Sequence, residues 1–326
     1  SLVDPIYTSG NTTSLEDATD LGGLSPVPNG FAVWRLNDTW SIGAGVYSNF
    51  GTGTEFEDTF AGNEFAGLTE VKSINGQLSV AYRINDRLSL GVGADIVHGA
   101  GKLKKFLNPS KTIVLDADTS GIGFGFHGGL LFELNDDHRF GLSYRQSPKL
   151  ETKGTITKRG ASSVTLEDES LFVPLPDLIE FSGFHQLNST WATHYSFQYI
   201  TWSKFDKLET KNFTDNTLKE YNWQDTWHLA VGLTYQVNNN WQLRSGYMYD
   251  QQAVDKIRSI AIPDSNRQWF SFGVGYQQQQ HQVDFGFTYL IGDDVEVEEN
   301  FPLGSSIKGT TKASAILAAI QYSYRF

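Results

Sequence analysis

Five ionisable residues, Asp95, Arg145, Arg244, Asp250 and Asp284, fall on the polar parity of stretches whose alternate residues are apolar. Three more, Arg258, Asp264 and Arg267, crowd into the single segment "RSIAIPDSNR". Along an oily channel, a cation of this kind could anchor the carboxylate head of a ligand with an apolar tail. The same ions could instead pair with one another and brace the wall that carries them, as ionisable groups inside membranes commonly do. Other chemistry finds less support. With no Cys there is no thiolate ligand, thiol nucleophile or disulfide. The seven His show no HExxH or other ligand spacing, and His127, His194 and His228 fall where they could line an interior. "GLSYR" at Gly141 lacks the second Gly of a nucleophile elbow. The pattern predicts no enzyme, no metal and no cofactor.

The elements that would position these residues alternate with a period of two. In the terminal "AILAAIQYSYRF", Ile316, Ala318, Ile320, Tyr322, Tyr324 and Phe326 share one parity, against Gln321, Ser323 and Arg325 on the other. One turn word recurs: "RLNDTW" from Arg35, "RINDRL" from Arg83, "ELNDDH" from Glu133, "QLNSTW" from Gln186, "QVNNNW" from Gln236, and "QQQQHQ" from Gln277 with Gln for Asn. Asn and Asp suit turns because they tolerate left-handed backbone and bond their own chain. Between these words lie longer, irregular polar segments near 11–29, 52–70, 104–118, 150–175, 205–221, 252–265 and 292–309. Six short turns and seven loops imply about fourteen strands, the first being residues 1 to about 10.

The polar parity carries Gly, Ser, Gln and single charges where the outer face of a soluble sandwich would carry Lys and Glu. Trp40, Trp191, Trp227 and Trp241 stand at strand ends beside the turns, as interfacial girdles would. The expected fold is therefore all-β: a transmembrane antiparallel β-barrel in one domain, residues 1–326, with short periplasmic turns and longer extracellular loops. Mean hydropathy is negative, which such a barrel allows because only alternate residues meet lipid. The net charge of −12 argues against nucleic acid as a partner. No signal peptide opens the chain, which reads as a mature or trimmed product.

Four stretches resemble the FadL family of outer-membrane transporters: "YSNFGTGTEFEDTFAG" (47–62), "AYRINDRLSLGVGADIVHGAGKLKKF" (81–106), "TWATHYSFQYITWSKFDKL" (190–208) and "IRSIAIPDSNRQWFSFGVGY" (257–276). The resemblance implies passive uptake of long-chain fatty acids or other hydrophobic molecules across the outer membrane of a Gram-negative bacterium. In that family a hatch plugs the barrel, and ligand enters an apolar pocket and leaves sideways through a kink in strand 3. Gly51 matches the kink position, and Asp250 a position beside the pocket. Arg258, Asp264 and Arg267 lie in the matching loop segment. The family's hatch and its NPA motif have no counterpart here, since "NPS" at Asn108 lies in a loop. The stretch from Lys105 to Gly121 is shorter than the family's third outer loop. The expectation is a fragment lacking the hatch and most of strand 1, or else a different gate. Expected partners are the hydrophobic ligand, outer-membrane lipid and lipopolysaccharide, with the chain a monomer. A porin-like pore for small polar solutes is the alternative. Asn11, Asn37, Asn188 and Asn212 open glycosylation sequons, which carry no meaning in a bacterium.

Overall fold

The computed structural model describes residues 1–10, 12–160, 162–302 and 304–326, so the Asn11 sequon lies outside the described residues. Its strands, in chain order, are β1 (Leu2–Ser9), β2 (Thr12–Ser14), β3 (Gly30–Arg35), β4 (Trp40–Tyr47), β5 (Gly51–Glu55), β6 (Leu68–Arg83), β7 (Leu88–Leu107), β8 (Thr112–Asn135), β9 (His138–Gln146), β10 (Lys149–Arg159) and β11 (Ser163–Pro174). There follow β12 (Leu178–Gln186), β13 (Trp191–Ile200), β14 (Lys207–Thr210), β15 (Thr217–Glu220), β16 (Thr226–Gln236), β17 (Trp241–Asp250), β18 (Arg267–Gln278), β19 (His281–Gly292), β20 (Val295–Asn300), β21 (Ser305–Thr311) and β22 (Ser314–Tyr324).

The short turns form from their own residues. Asn37 Oδ1 accepts the amides of Thr39 at 2.9 Å and Trp40 at 2.8 Å. Asn85, Asn135, Asn188 and Asn238 accept the equivalent two amides in their turns. A side chain that satisfies two backbone donors reverses the chain without help from distant packing. The Gln turn replaces this with left-handed backbone at Gln279, φ 52°.

Between these turns the strands pair in the order β3, β4, β6, β7, β8, β9, β12, β13, β16, β17, β18, β19, β22. Apolar side chains on the outward parity stay uncovered: Leu78 is 71% exposed, Phe124 72% and Ile320 79%. So wide an apolar surface needs hydrocarbon around it. Next to the turns, Trp40 packs on Tyr82, Trp191 on Tyr235 and Trp241 on Tyr276, each with centroids 4.7 Å apart. Trp227 is the exception to the expected turn-side girdle. β16 begins at Thr226 and runs toward its Asn238 turn, so Trp227 sits at the loop end, against Phe197 and Tyr249. From Trp191 to Tyr199 the outward parity of β13 covers about 26 Å along the strand, enough for the apolar band.

Residues 1–10 are not a barrel strand. β1 pairs with β2 and β21 in a separate four-stranded sheet, β2-β1-β21-β20. Pro5 has no amide to donate and Asp4 holds φ 49°, so the register slips between Val3 and Ile6. Leu2 and Tyr7 then bury with Phe56, Phe60, Phe65, Ile260 and Ile307. Glu64, inside this cluster, accepts the Tyr7 hydroxyl at 2.8 Å and Ser305 Oγ at 2.7 Å. The segments expected to be irregular are largely ordered. Those at 150–175, 205–221 and 292–309 hold the hairpins β10–β11, β14–β15 and β20–β21, and β7 turns directly into β8 within 104–118. Thr, Val and Ile let these strands run on past the membrane.

Candidate transport pocket and wall break

The strand that carries Gly51 is interrupted. β4 pairs with β6 up to Tyr47↔Asn75, and β5 resumes on β6 from Gly51↔Lys72. Residue numbers of partners sum to 122 before the gap and 123 after it, so Ser48–Phe50 hold one residue more than a continuous ladder would. Ser73 stitches the break: Phe50 N–H donates to Ser73 Oγ at 3.2 Å, and Ser73 Oγ–H to the Phe50 carbonyl at 2.7 Å. Gly51 itself is not in left-handed backbone, and an added Cβ would stand 3.6 Å from the Val71 carbonyl, an ordinary contact. The extra residue makes the break.

Behind it lies an enclosed apolar cavity of about 40 Å³, lined by Phe50, Val71, Leu103, Leu150, Leu208 and Tyr221 among others. The hairpins β10–β11 and β14–β15 wall it. Glu169, 1% exposed, holds them together by accepting the amides of Lys211 and Asn212 and the Asn212 side chain. Trp202, Phe205, Tyr221 and Trp223 pack edge-on and tilted above, with Phe50 against Trp202 at 5.8 Å. So small a space admits a long chain only as these rings part.

Two lysines stand next to lining residues of the cavity: Lys105 two residues beyond Leu103 and so on its face of β7, and Lys219 of β15 over the ring of Tyr221. Lys105 is 8% exposed and donates to the Phe65 carbonyl at 2.6 Å. Lys219 donates to Ser259 Oγ at 2.7 Å, stands 3.9 Å from Glu299 and lies over the Tyr221 ring. Burial, and then the neighbouring Lys219 cation, push the Lys105 ammonium down to about 7. Burial lowers Lys219 as well and raises the Tyr221 hydroxyl. Cations under this strain are stabilised by an incoming anion.

The residues singled out from parity form pairs. Asp95 accepts from Arg145 at 2.6 Å, from Tyr47 at 2.9 Å and lies 2.8 Å from His127. Arg244 donates to Asp284 at 2.7 Å. Arg267 lies 3.0 Å from Asp250 and 3.5 Å from Asp264, which also accepts the amides of Ala253 and Val254. Arg258 donates to the Glu296 carbonyl at 2.8 Å. His194 bonds Thr234, and His228 faces Asp250 at 3.8 Å. None of the charged residues named from the sequence lines the apolar cavity. Lys105 and Lys219 escaped notice although Lys105 shares the parity of Asp95 on β7.

Residues 3–326 match the family model described as outer membrane protein transport protein (OMPP1/FadL/TodX). The chain belongs to this family. It is 32% identical over 337 residues to a long-chain fatty acid transport protein of Salmonella typhi, covering 91% of this chain and 78% of that one. It is also 32% identical to outer membrane protein P1 of Haemophilus influenzae over 345 residues, 92% of this chain and 75% of the relative. Among solved structures, a Pseudomonas aeruginosa FadL homologue superposes with a TM-score of 0.82 at 21% identity, covering 99% of this chain and 88% of that one. The P. putida toluene transporter TodX gives 0.70 at 17%, covering 100% and 88%. The fold is thus the FadL-type barrel, the location is the outer membrane, and the protein is a transport protein and not an enzyme.

Proposed function

We propose that this protein takes up long-chain fatty acids, or oily molecules of similar length, and releases them sideways through the break at Ser48–Phe50. What carries the reading is that one residue, Phe50, belongs both to the break and to the cavity lining. The lysines next to the lining suit a carboxylate head, and the naming of the Salmonella typhi relative for fatty acids agrees. Each methylene buried contributes about 0.8 kcal/mol, so the chain supplies most of the affinity and needs no energy source. Exit into lipid keeps the tail out of water throughout. Asp250, Asp264 and Arg267 hold the loop after β17, and Arg258 ties that loop to β20, so these residues brace the mouth. The working unit is a monomer in outer-membrane lipid and lipopolysaccharide.

Deleting Ser48 tests this, because it removes the extra residue and lets β4 run into β5 in one register. Uptake of labelled hexadecanoate by cells carrying the variant should fall about tenfold or more, a barrier higher by about 1.4 kcal/mol. The barrel should keep its heat-modifiable gel mobility. Unchanged uptake by a folded variant would exclude lateral release.

A further inference from the structure

At the turn end of the barrel wall, the last pair of the β9–β12 ladder is His138 opposite His185. Both fall on the outward parity, below the exposed pair Leu142 and Phe181, and both are half-buried beside the Asn135 turn, within reach of solvent. Their Nδ1 atoms face each other at 3.0 Å, with ring centroids 5.1 Å apart. Neither lines the cavity proposed for transport. Arg139 turns to the other face, over the Phe184 ring, while Asp136 and Asp137, both exposed, precede His138 in the turn. The next strand adds a support. Tyr195 of β13 is the cross-strand partner of Gly183, and its ring fills the space that a side chain at Gly183 would need. That sets the Tyr195 hydroxyl 3.4 Å from His185 Nε2. An imidazole that ligates through Nδ1 carries its proton on Nε2, and an acceptor there fixes the tautomer.

We infer that His138 and His185 form a binding site for a divalent transition-metal ion, copper(II) before nickel(II). Two nitrogens 3.0 Å apart, each about 2.05 Å from one ion, subtend roughly 94° at it. That is the angle between neighbouring corners of a square-planar or octahedral shell. Tetrahedral zinc would want the nitrogens about 3.3 Å apart. The χ2 torsion of His is soft, so a small turn of each ring makes the two lone pairs converge. Without the ion, one ring donates its Nδ1–H to the other. When the ion binds, that proton passes to water and water returns one to Nε2 of the same ring, so each imidazole stays neutral and gives the ion one lone pair. Among the described residues no group of three His, Asp or Glu ligands occurs, so water completes the shell. The two histidines stand 47 positions apart, which hides them from any motif spacing, and the β9–β12 register alone brings them together. An ion here ties together two strands whose connection in the chain runs out through the hairpin β10–β11.

The test titrates untagged protein in detergent with copper(II) and follows it by electron paramagnetic resonance, with barrel integrity read from heat-modifiable mobility. One equivalent should give an axial spectrum with hyperfine structure from two nitrogens, and thermal unfolding should move upward as the ion is added. H138N and H185N should each weaken binding about tenfold or more and lose the two-nitrogen pattern, because a single imidazole remains. Y195F should weaken it about tenfold, the usual worth of an outer hydrogen-bond partner. H281N, at another turn, should bind as the wild type does. A wild-type spectrum without two coupled nitrogens would overturn the site with no variant needed. So would folded H138N or H185N that binds as tightly as the wild type, or a loss of binding in H281N equal to theirs.

Discussion

Lys105 is the residue on which the proposed capture of a carboxylate head rests most directly. Its ammonium loses its proton near 7 instead of at the ordinary 10.5, because burial and Lys219 disfavour the charge. Below about 7 it is a cation, and a carboxylate ligand is still ionised until the pH falls to the usual range of carboxyl groups. Affinity of the purified protein for hexadecanoate should therefore fall about tenfold as pH rises from 6 to 9, with hexadecanol unaffected. K105M should abolish that dependence, and equal pH curves for the two proteins would remove Lys105 from the site. Stability shifts in the opposite sense. Between about 7 and 10.5 the unfolded chain binds the proton that the native chain does not, so the empty protein gains stability as pH rises. Parity alone brought Asp95, Arg145, Arg244 and Asp284 to the lumen, and there each forms an ion pair. The same parity reaches Lys105. It was hidden because "KLKKF" interleaves it with Lys102 and Lys104 of the other face, and the segment read as loop.

At the scale of the element, the proposed exit rests on the extra residue within Ser48–Phe50. Gly51 opens β5 with room for a side chain. G51A should therefore keep the break, with hexadecanoate uptake within about twofold of wild type, a change under about 0.5 kcal/mol. A large loss in G51A would return the kink to the glycine. The turns were legible because Asn makes them locally, through bonds to the second and third amides onward. The barrel strands were legible because a period of two survives wherever one face meets hydrocarbon. The hairpins β10–β11, β14–β15 and β20–β21 were not, since above the membrane both faces touch protein or water and the alternation loses contrast. β1 misled for the same reason. Its alternation reports burial on the outer sheet, and Pro5 with the left-handed Asp4 was the sign against a spanning strand.

For the whole molecule, the proposed uptake chooses between two cavities, one on each of two conceivable routes. One is the apolar cavity that Phe50 of the break lines, the route of the proposed lateral release. The other is a second, more open cavity of about 340 Å³, whose lining includes Arg244, Asp284 and Gln321 on the polar parity. The first suits an acyl tail, and the second a polar solute. A fatty acid carrying a photoactivatable group at its terminal carbon distinguishes them in the folded protein held in lipid. Mass spectrometry after illumination should place the label on Phe50, Val71 or Ser73 and on lipid outside the barrel. Label concentrated on Arg244, Asp284 or Gln321, with none at the break, would contradict lateral release.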